Sequence, residues 1–252
     1  MPMMSANGAR IYYEDHGSGD AIVFAHGRGG NHLSWWQQIP AFAGDFRCIA
    51  FDHRSFGAST NPDDGRNQAA FAGDLAALLD HLEIEKAHLV AQSMGGRSCL
   101  DFALRSPGRV GRMVLASTIA GVVDPELADI LATHAEPPAE LLPRVLSAGF
   151  REREPALTFL FQEIEAMNHL GGSPFRLVLE GASRRQVEDC QVETLLIVGD
   201  QDRLAPPVAV EWLMQKMPRA RMSLVENAGH SVYFERPDVF NRLVREFLLE
   251  GR

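Results

Sequence analysis

The fold of this chain is decided by one stretch in its first half, His88-Leu89-Val90-Ala91-Gln92-Ser93-Met94-Gly95-Gly96. An apolar run leads into a single serine, and small residues lie on both sides of that serine. The pattern predicts a buried strand, a sharp turn with Ser93 at its tip, and then a helix. The turn needs small neighbours because it strains the backbone of its central residue. It exposes the hydroxyl, so we expect Ser93 to be a nucleophile.

Met94 follows that serine and begins the predicted helix. The N-terminus of a helix carries partial positive charge, so the backbone N–H of Met94 is a candidate donor to an oxyanion. The strict form of the turn is Gly-x-Ser-x-Gly, and here Ala91 replaces the first glycine. This stretch alone therefore leaves open a small-residue turn with an incidental serine.

Two further stretches place polar residues after predicted strands. The apolar run 194–198 is followed by Gly199-Asp200-Gln201-Asp202-Arg203-Leu204-Ala205-Pro206. The run 221–225 is followed, after a short loop, by Gly229-His230-Ser231-Val232-Tyr233-Phe234-Glu235-Arg236-Pro237. Open α/β sheets bind ligands at the carboxyl ends of their strands, so we expect these side chains to lie near the serine.

In the order serine, acid and histidine, the three stretches resemble the α/β-hydrolase family. The family pattern Gly-x-x-Asp-x-x-x-Pro fits 199–206 without a gap, which puts Asp202 at the position of the catalytic acid and leaves Asp200 as the alternative. The family pattern Gly-His-x-x-x-x-Glu-x-Pro fits 229–237 and puts His230 at the position of the base. The resemblance implies an α/β fold with a mostly parallel eight-stranded sheet and helices on both faces.

The first apolar run, 21–25, leads into the glycine-rich loop His26-Gly27-Arg28-Gly29-Gly30-Asn31. In the family, the residue after such a His-Gly pair gives the second oxyanion donor, so the resemblance assigns that role to the backbone N–H of Arg28. The Arg28 side chain is either a solvated surface charge or a substrate contact. The resemblance gives His26 a structural role.

The strand predicted at 46–51 leads into a stretch similar to the family's Asp-x-Arg-Gly-x-Gly-x-Ser. Ser55 replaces the first glycine of that pattern, a departure that could alter the turn. We expect Asp52 and Arg54 to brace loops near the site through charge-assisted hydrogen bonds. A helix is predicted next, over 71–82, with Asp74 on its solvated face.

The stretch 122–192 is broken by prolines and by Gly171-Gly172 into short segments that favour helices. It is too long for a simple crossover between strands, so we predict a helical cap inserted into a core formed by residues 1–121 and 193–252. Five apolar side chains could either line the underside of the cap or pack its helices together: Phe150, Phe159, Phe161, Met167 and Phe175.

The composition of the chain argues against several other classes of protein. The chain has 252 residues, 46% of them hydrophobic, and a net charge of −9 without a basic stripe, which argues against nucleic-acid or anionic-membrane partners. Its three cysteines are odd in number and widely spaced, which argues against a disulfide framework. Neither metal-ligand spacing nor a dinucleotide-binding glycine pattern is found, so we expect no metal and no cofactor.

The first residues do not form a basic region followed by an apolar run, and no apolar stretch approaches the roughly 20 residues that span a bilayer. We therefore expect a cytoplasmic protein. The sequence leaves its oligomeric state unknown.

Ser93 narrows the chemistry that the resemblance implies, since family members that open epoxides or displace halide use an aspartate at this turn. The main hypothesis is a serine hydrolase that cleaves a small carboxylic ester or lactone through an acyl-enzyme. Three alternatives stay open. They are a carbon–carbon bond hydrolase of ring-cleavage products, a cofactor-free perhydrolase, and a ligand-binding receptor with hydrolase architecture.

Overall fold

The computed structural model describes residues 2–60, 68–135, 142–168 and 181–251. These ranges contain an eight-stranded sheet of strand order β1-β2-β4-β3-β5-β6-β7-β8. The strands are β1 Met3–Ala6, β2 Ala9–His16, β3 Ala21–Ala25, β4 Arg47–Phe51, β5 Ala87–Gln92, β6 Val110–Ala116, β7 Thr194–Gly199 and β8 Ala220–Val225. β1 and β2 are a hairpin, and β2 joins β4 in antiparallel register. All remaining pairs are parallel.

Helices cover both faces of this sheet. Their bounds are α1 Ile39–Phe42, α2 Phe71–His81, α3 Met94–Arg105, α4 Pro125–His134, α5 Leu142–Val145, α6 Ala148–Arg153, α7 Pro155–Ala166, α8 Arg184–Glu188, α9 Pro207–Lys216, α10 Val232–Glu235 and α11 Pro237–Leu249. Short 3₁₀ helices span His32–Trp35, Gln68–Ala70 and Pro107–Arg109. One core cluster contains side chains of α2, α3 and α9, and the other contains side chains of α1 and α11.

The strands β3 and β7 are buried along their whole length because helices cover both faces of the sheet there. In β3 every residue is buried, and successive side chains enter opposite cores: Val23 packs with the first cluster, whereas Ile22 and Phe24 pack with the second. The sequence prediction of a mostly parallel eight-stranded α/β sheet is confirmed.

The loops that follow β3, β5, β6, β7 and β8 lie at the carboxyl end of this parallel region. Ser93 lies on the loop after β5, near the centre of the sheet. Residues that are distant in sequence can therefore lie close together at this edge of the sheet.

The helices α4 to α8 lie between β6 and β7, within the stretch assigned to the cap. A single parallel bridge between Val123 and Ser183 joins the two ends of that stretch. The division of the chain into a core of 1–121 and 193–252 and a cap of 122–192 stays a prediction.

One sequence prediction about α2 is wrong. Asp74 does not face solvent, because it is 2% exposed and forms an ion pair of 2.6 Å with Arg54. Asn7 donates a further hydrogen bond of 3.0 Å to the same carboxylate. Arg54 lies on the loop after β4, so the contact depends on where that loop packs against α2. Helical periodicity does not predict such a contact.

Candidate active site

Ser93 lies at the tip of a strained turn between β5 and α3. Its φ of 49° and ψ of −116° are unfavourable for a residue with a side chain. Hydrogen bonds hold this conformation, since the Ser93 N–H donates to the Ala116 carbonyl at 2.9 Å and the Ser93 carbonyl accepts from the Thr118 hydroxyl at 2.7 Å. The surrounding loops therefore fix the direction of the hydroxyl.

The glycines after Ser93 are required by close approach. A Cβ on Gly95 would lie 2.2 Å from the Ala25 carbonyl oxygen at the end of β3. A Cβ on Gly96 would lie 2.6 Å from Cγ2 of Thr118. The first turn of α3 is thus pressed against the loops that follow the two neighbouring strands.

The structure brings Ser93, His230 and Asp202 into one chain of hydrogen bonds. The Ser93 Oγ lies 2.9 Å from Nε2 of His230. Nδ1 of the same ring lies 2.9 Å and 3.0 Å from the two carboxylate oxygens of Asp202. With a carboxylate on Nδ1, the ring donates there and presents the lone pair of Nε2 to the serine.

The carboxylate of Asp202 is itself fixed. It is 3% exposed, and its Oδ1 accepts hydrogen bonds of 2.9 Å from both the Leu204 and the Ala205 N–H. His230 is 5% exposed. Asp200, the alternative acid, accepts from the Ala228 N–H at 3.2 Å and thus orders the loop before the histidine.

Arg28 and Met94 both line the cavity in front of Ser93, which is where the sequence places the two oxyanion donors.

Gln92 contacts both the loop that carries Arg28 and the loop that carries His230. Its Nε2 donates to the His230 carbonyl at 3.2 Å, and its Oε1 would lie 1.9 Å from a Cβ on Gly27. Sequence reasoning did not single out Gln92, although its place next to Ser93 was a signal.

His26 orders the loop that carries Arg28. Its Nδ1–H donates to the Gly27 carbonyl at 2.7 Å, and its Nε2 accepts from the His53 N–H at 3.0 Å. The ring is fully buried, and this desolvation lowers its pKa to about 4. The resemblance implied a structural role for His26, and these contacts require its ring to be neutral.

Asp52 and Arg54 brace loops, as the sequence predicted. Asp52 accepts hydrogen bonds from the His32 N–H at 2.6 Å and from the Ala58 N–H at 2.8 Å. Arg54 forms an ion pair with Asp74 of α2. Ser55 adopts a φ of 66°, so a serine here takes the left-handed conformation for which the family uses glycine.

A cavity of about 550 Å³ opens in front of Ser93. Its apolar wall comes mainly from the loop after β6 and from helices between β6 and β7, through residues that include Ile119, Val122, Leu127, Val145, Phe161 and Ile164. A volume of this size suits a small organic molecule.

The apolar candidates from the stretch assigned to the cap lie in different places. Phe161 lines it, whereas Phe150 is buried against Phe234. Phe159 and Met167 are 62% and 48% exposed, so they neither line the cavity nor pack in the core. Phe175 lies outside the described residues.

Two polar residues tie the helices between β6 and β7 to the site, and sequence reasoning missed both roles. Glu235 accepts from the Gly229 N–H at 3.0 Å and from the Ser147 hydroxyl at 2.5 Å. Burial raises the pKa of its carboxyl. Asn168 donates to the Gly29 carbonyl at 2.6 Å. The Glu-x-Pro element after the histidine was the available signal for Glu235.

Comparisons with known proteins agree with this architecture. A family model described as the alpha/beta hydrolase fold matches residues 20–148, and one described as TAP-like protein matches residues 177–252. The chain belongs to the α/β-hydrolase family. It is 30% identical to a 2-hydroxy-6-oxononadienedioate/2-hydroxy-6-oxononatrienedioate hydrolase of Burkholderia vietnamiensis, over 95% of this chain and 91% of that protein.

Solved structures of the family superpose over nearly the full chain. The enol-lactonase from Burkholderia xenovorans LB400 has a TM-score of 0.82 at 26% identity, over 99% of this chain and 100% of that one. The meta-cleavage product hydrolase CumD from Pseudomonas fluorescens IP01 has a TM-score of 0.84 at 27% identity, over 100% and 98%. Relatives at this level of similarity thus differ in the bond that they hydrolyse.

The described residues also bear on metal sites and membrane spans. They contain no group of three or more His, Cys, Asp or Glu residues arranged to hold a metal ion. Among the helices in the described ranges, none has the length and apolar character needed to cross a bilayer.

Proposed function

We propose that this protein is a serine hydrolase that cleaves small carboxylic esters or lactones through an acyl-enzyme. The observation that carries the proposal is the hydrogen-bonded series from Ser93 through His230 to Asp202 at the floor of an apolar cavity. A serine hydroxyl is a weak nucleophile until an adjacent base takes its proton, and here the base lies within hydrogen-bond distance.

In the first half of the reaction, the Ser93 oxygen attacks the ester carbonyl while Nε2 of His230 takes the hydroxyl proton. Asp202 holds the ring in the required tautomer and stabilises the imidazolium. The backbone N–H groups of Arg28 and Met94 bind the oxyanion, each worth roughly 3–4 kcal/mol. When the intermediate collapses, the alcohol leaves with the proton from the histidine.

In the second half, water replaces the alcohol. His230 takes a proton from that water, the hydroxide attacks the acyl-enzyme carbonyl, and the carboxylic acid is released as the Ser93 oxygen regains its proton. In a lactone the alcohol and the acid belong to one molecule, so a single hydroxy acid leaves. Support for this ligand class comes from the enol-lactonase, a relative that is 26% identical over nearly the full chain.

The test is hydrolysis of p-nitrophenyl esters of increasing acyl length, with simple lactones in parallel. We expect turnover by the wild type and a loss of at least about 10³-fold in kcat for Ser93→Ala, because the residual rate comes from oxyanion binding alone. Ser5→Ala, an exposed serine on β1, is the matched control and should keep the wild-type rate. Hydrolysis by Ser93→Ala at the wild-type rate would refute the mechanism.

A second candidate is hydrolysis of a carbon–carbon bond in a ring-cleavage product. It is favoured by the sequence Ser93-Met94-Gly95-Gly96, which such family members share, and by the relative at 30% identity. Those members often have tryptophan after the catalytic histidine, whereas this chain has Ser231. A kcat/KM for a vinylogous diketone well above that for every ester would make this the better assignment.

A further inference from the structure

The loop that carries Arg28 lies directly against the candidate nucleophile. A Cβ on Gly27 would lie 3.1 Å from Cβ of Ser93, so the backbone just before Arg28 packs against the serine. Because the loop contains Gly27, Gly29 and Gly30, it has few side chains of its own to hold its conformation. The direction of the Arg28 N–H therefore depends on the hydrogen bonds of the loop backbone.

Residues 27–30 form a tight turn. The Gly30 N–H donates to the Gly27 carbonyl at 3.0 Å, and Gly29, the third residue of the turn, has a φ of 86°. A positive φ at that position is typical of a type II turn and favours glycine. The Gly27 carbonyl also accepts from Nδ1 of His26 at 2.7 Å, so two donors fix it.

The Gly27 carbonyl and the Arg28 N–H belong to the same peptide unit. In a planar trans peptide these two groups point in opposite directions. Since the carbonyl points towards the Gly30 N–H inside the turn, the Arg28 N–H points away from the turn. Arg28 lines the cavity in front of Ser93, so a bond that holds the Gly27 carbonyl also sets the direction of this oxyanion donor.

The peptide unit of Gly29 and Gly30 extends this arrangement. Its N–H is the Gly30 donor of the turn, and its carbonyl accepts from Nδ2 of Asn168 at 2.6 Å. A series of hydrogen bonds therefore runs from the Asn168 amide through two peptide units to the Arg28 N–H. Each bond in such a series polarises the next one, so the last donor is both oriented and strengthened.

Asn168 is itself held in place, two residues after the end of α7. It is 6% exposed. Its Oδ1 accepts from the Gly57 N–H at 2.8 Å, and its Nδ2 donates to the Glu165 carbonyl at 3.1 Å as well as to Gly29. The opposite orientation of the amide would turn its oxygen towards two carbonyls, so these contacts determine which end is the donor.

A second contact docks the same loop on α7. Asn31 is fully buried, its Nδ2 donates to the Ile164 carbonyl at 2.8 Å, and its Oδ1 accepts from the Leu33 N–H at 3.0 Å. This contact lies after the turn and outside the series of peptide units that ends at Arg28. It keeps the loop beside α7 when Asn168 is changed, so a substitution of Asn168 disturbs the series without releasing the whole loop.

We propose that Asn168 is a positioning residue for the oxyanion hole, and that it holds the Arg28 N–H in the direction of the oxyanion through two peptide units. The inference rests on the proposed function, since it takes that N–H as an oxyanion donor. Asn168 acts through the loop backbone and not by contact with the substrate. Its position after α7 makes the stretch assigned to the cap a part of the oxyanion hole.

The first test is the kinetics of Asn168→Asp with p-nitrophenyl butyrate. A carboxylate still accepts from the Gly57 N–H but has no N–H for the Gly29 carbonyl. We expect kcat to fall by roughly 10- to 100-fold with KM within about twofold of the wild type, because the oxyanion forms only after the substrate is bound. The loss is smaller than the roughly 10²–10³-fold that a whole donor is worth, since His26 still holds the Gly27 carbonyl.

Two other variants complete this test. Gln162→Glu makes the same change from amide to carboxylate at an exposed position of α7 and should keep the wild-type kcat. Asn168→Ala removes the donor without adding a charge, so it replaces Asn168→Asp if urea unfolding shows that the aspartate variant does not fold. A kcat per titrated active site within about twofold of the wild type, in either folded variant of Asn168, would overturn the proposal.

The second test measures the oxyanion hole apart from turnover. When 1,1,1-trifluorohexan-2-one binds, the Ser93 oxygen bonds to the ketone carbon, the carbonyl π electrons move to its oxygen as an oxyanion, and the hydroxyl proton goes to Nε2 of His230. Hexan-2-one has a similar shape, and its unactivated carbonyl stays a ketone. We expect Asn168→Asp to weaken inhibition by the trifluoroketone by roughly 10- to 100-fold and inhibition by hexan-2-one by less than about twofold. A purely structural loss would weaken both inhibitors alike, and that result would overturn the proposal.

The trifluoroketone also separates this inference from the proposed function, because adduct formation requires no ester cleavage. If no ester is hydrolysed but the selective loss is found in Asn168→Asp, the ester hydrolase proposal fails and the role of Asn168 stands. If the wild type hydrolyses esters and the selective loss is absent, the proposed function stands and the role of Asn168 is overturned. A wild type that forms no adduct overturns both.

Discussion

His26 should make this protein lose stability in mild acid. Its two hydrogen bonds require the neutral ring, because Nε2 accepts from the His53 N–H while Nδ1 donates to the Gly27 carbonyl. Protonation would place an N–H on Nε2, directly opposite the His53 N–H. The desolvation penalty acts in the same direction and lowers the pKa of His26 from its ordinary value of 6.5 to about 4.

The sign and size follow from proton linkage. A folded pKa below the unfolded one means that the unfolded chain binds more protons in this range, so stability is present above pH 6.5 and is lost as the pH falls towards 4. The full shift corresponds to about 3 kcal/mol, and about 2 kcal/mol of that is lost between pH 7 and pH 5. His53 adds to the same trend, since burial lowers its pKa as well.

The assay is urea unfolding of the wild type and of His26→Asn at pH 7 and pH 5. The variant is less stable at both values because it loses ring packing, so the quantity compared is the drop in unfolding free energy between the two pH values. We expect that drop to be smaller by about 2 kcal/mol in the variant. His134→Gln, at an exposed position, is the control and should show the wild-type drop. Equal drops in His26→Asn and the wild type would refute the reasoning.

Three further changes test the geometry. Gly95→Ala puts a Cβ 2.2 Å from the Ala25 carbonyl oxygen, so the backbone must shift, and we expect kcat for ester hydrolysis to fall about 100-fold; unchanged kcat would contradict this. Asp202→Asn should lower kcat by about 10⁴-fold through the wrong tautomer of the histidine, with a drop below tenfold counting against that role. Glu235→Gln replaces one carboxylate oxygen with an NH2 group, which would face either the Gly229 N–H or the Ser147 N–H, so urea unfolding should show a loss of about 1–3 kcal/mol, and an unchanged midpoint would count against this contact.

The parts of the site that sequence predicts are those with local signals. Ser93 is marked by the small residues that its turn requires, and Asp202 and His230 each follow a predicted strand with a glycine nearby. A parallel sheet gathers such strand ends at one edge, so local patterns were enough to bring three distant residues together. The structure joins them by hydrogen bonds of 2.9 to 3.0 Å, from the serine to the histidine and from the histidine to the acid.

Contacts made by tertiary approach have no such signal. Asp74 has the spacing of a solvated position on an amphipathic helix, and only the arrival of Arg54 makes it buried. Glu235 and Ser147 lie 88 residues apart.

The contacts of the helices between β6 and β7 limit how far those helices can move during catalysis. They reach the loop that carries Arg28 through Asn168, which donates to the Gly29 carbonyl, and the loop that carries His230 through Ser147, which donates to Glu235. Glu235 in turn accepts from the Gly229 N–H, next to the histidine. Opening of these helices would break hydrogen bonds at both sides together, and each buried group left without a partner costs about 1–3 kcal/mol. The same contacts therefore also order the loops that carry Arg28 and His230, so a substrate that spreads these helices would be expected to lose rate as well as affinity.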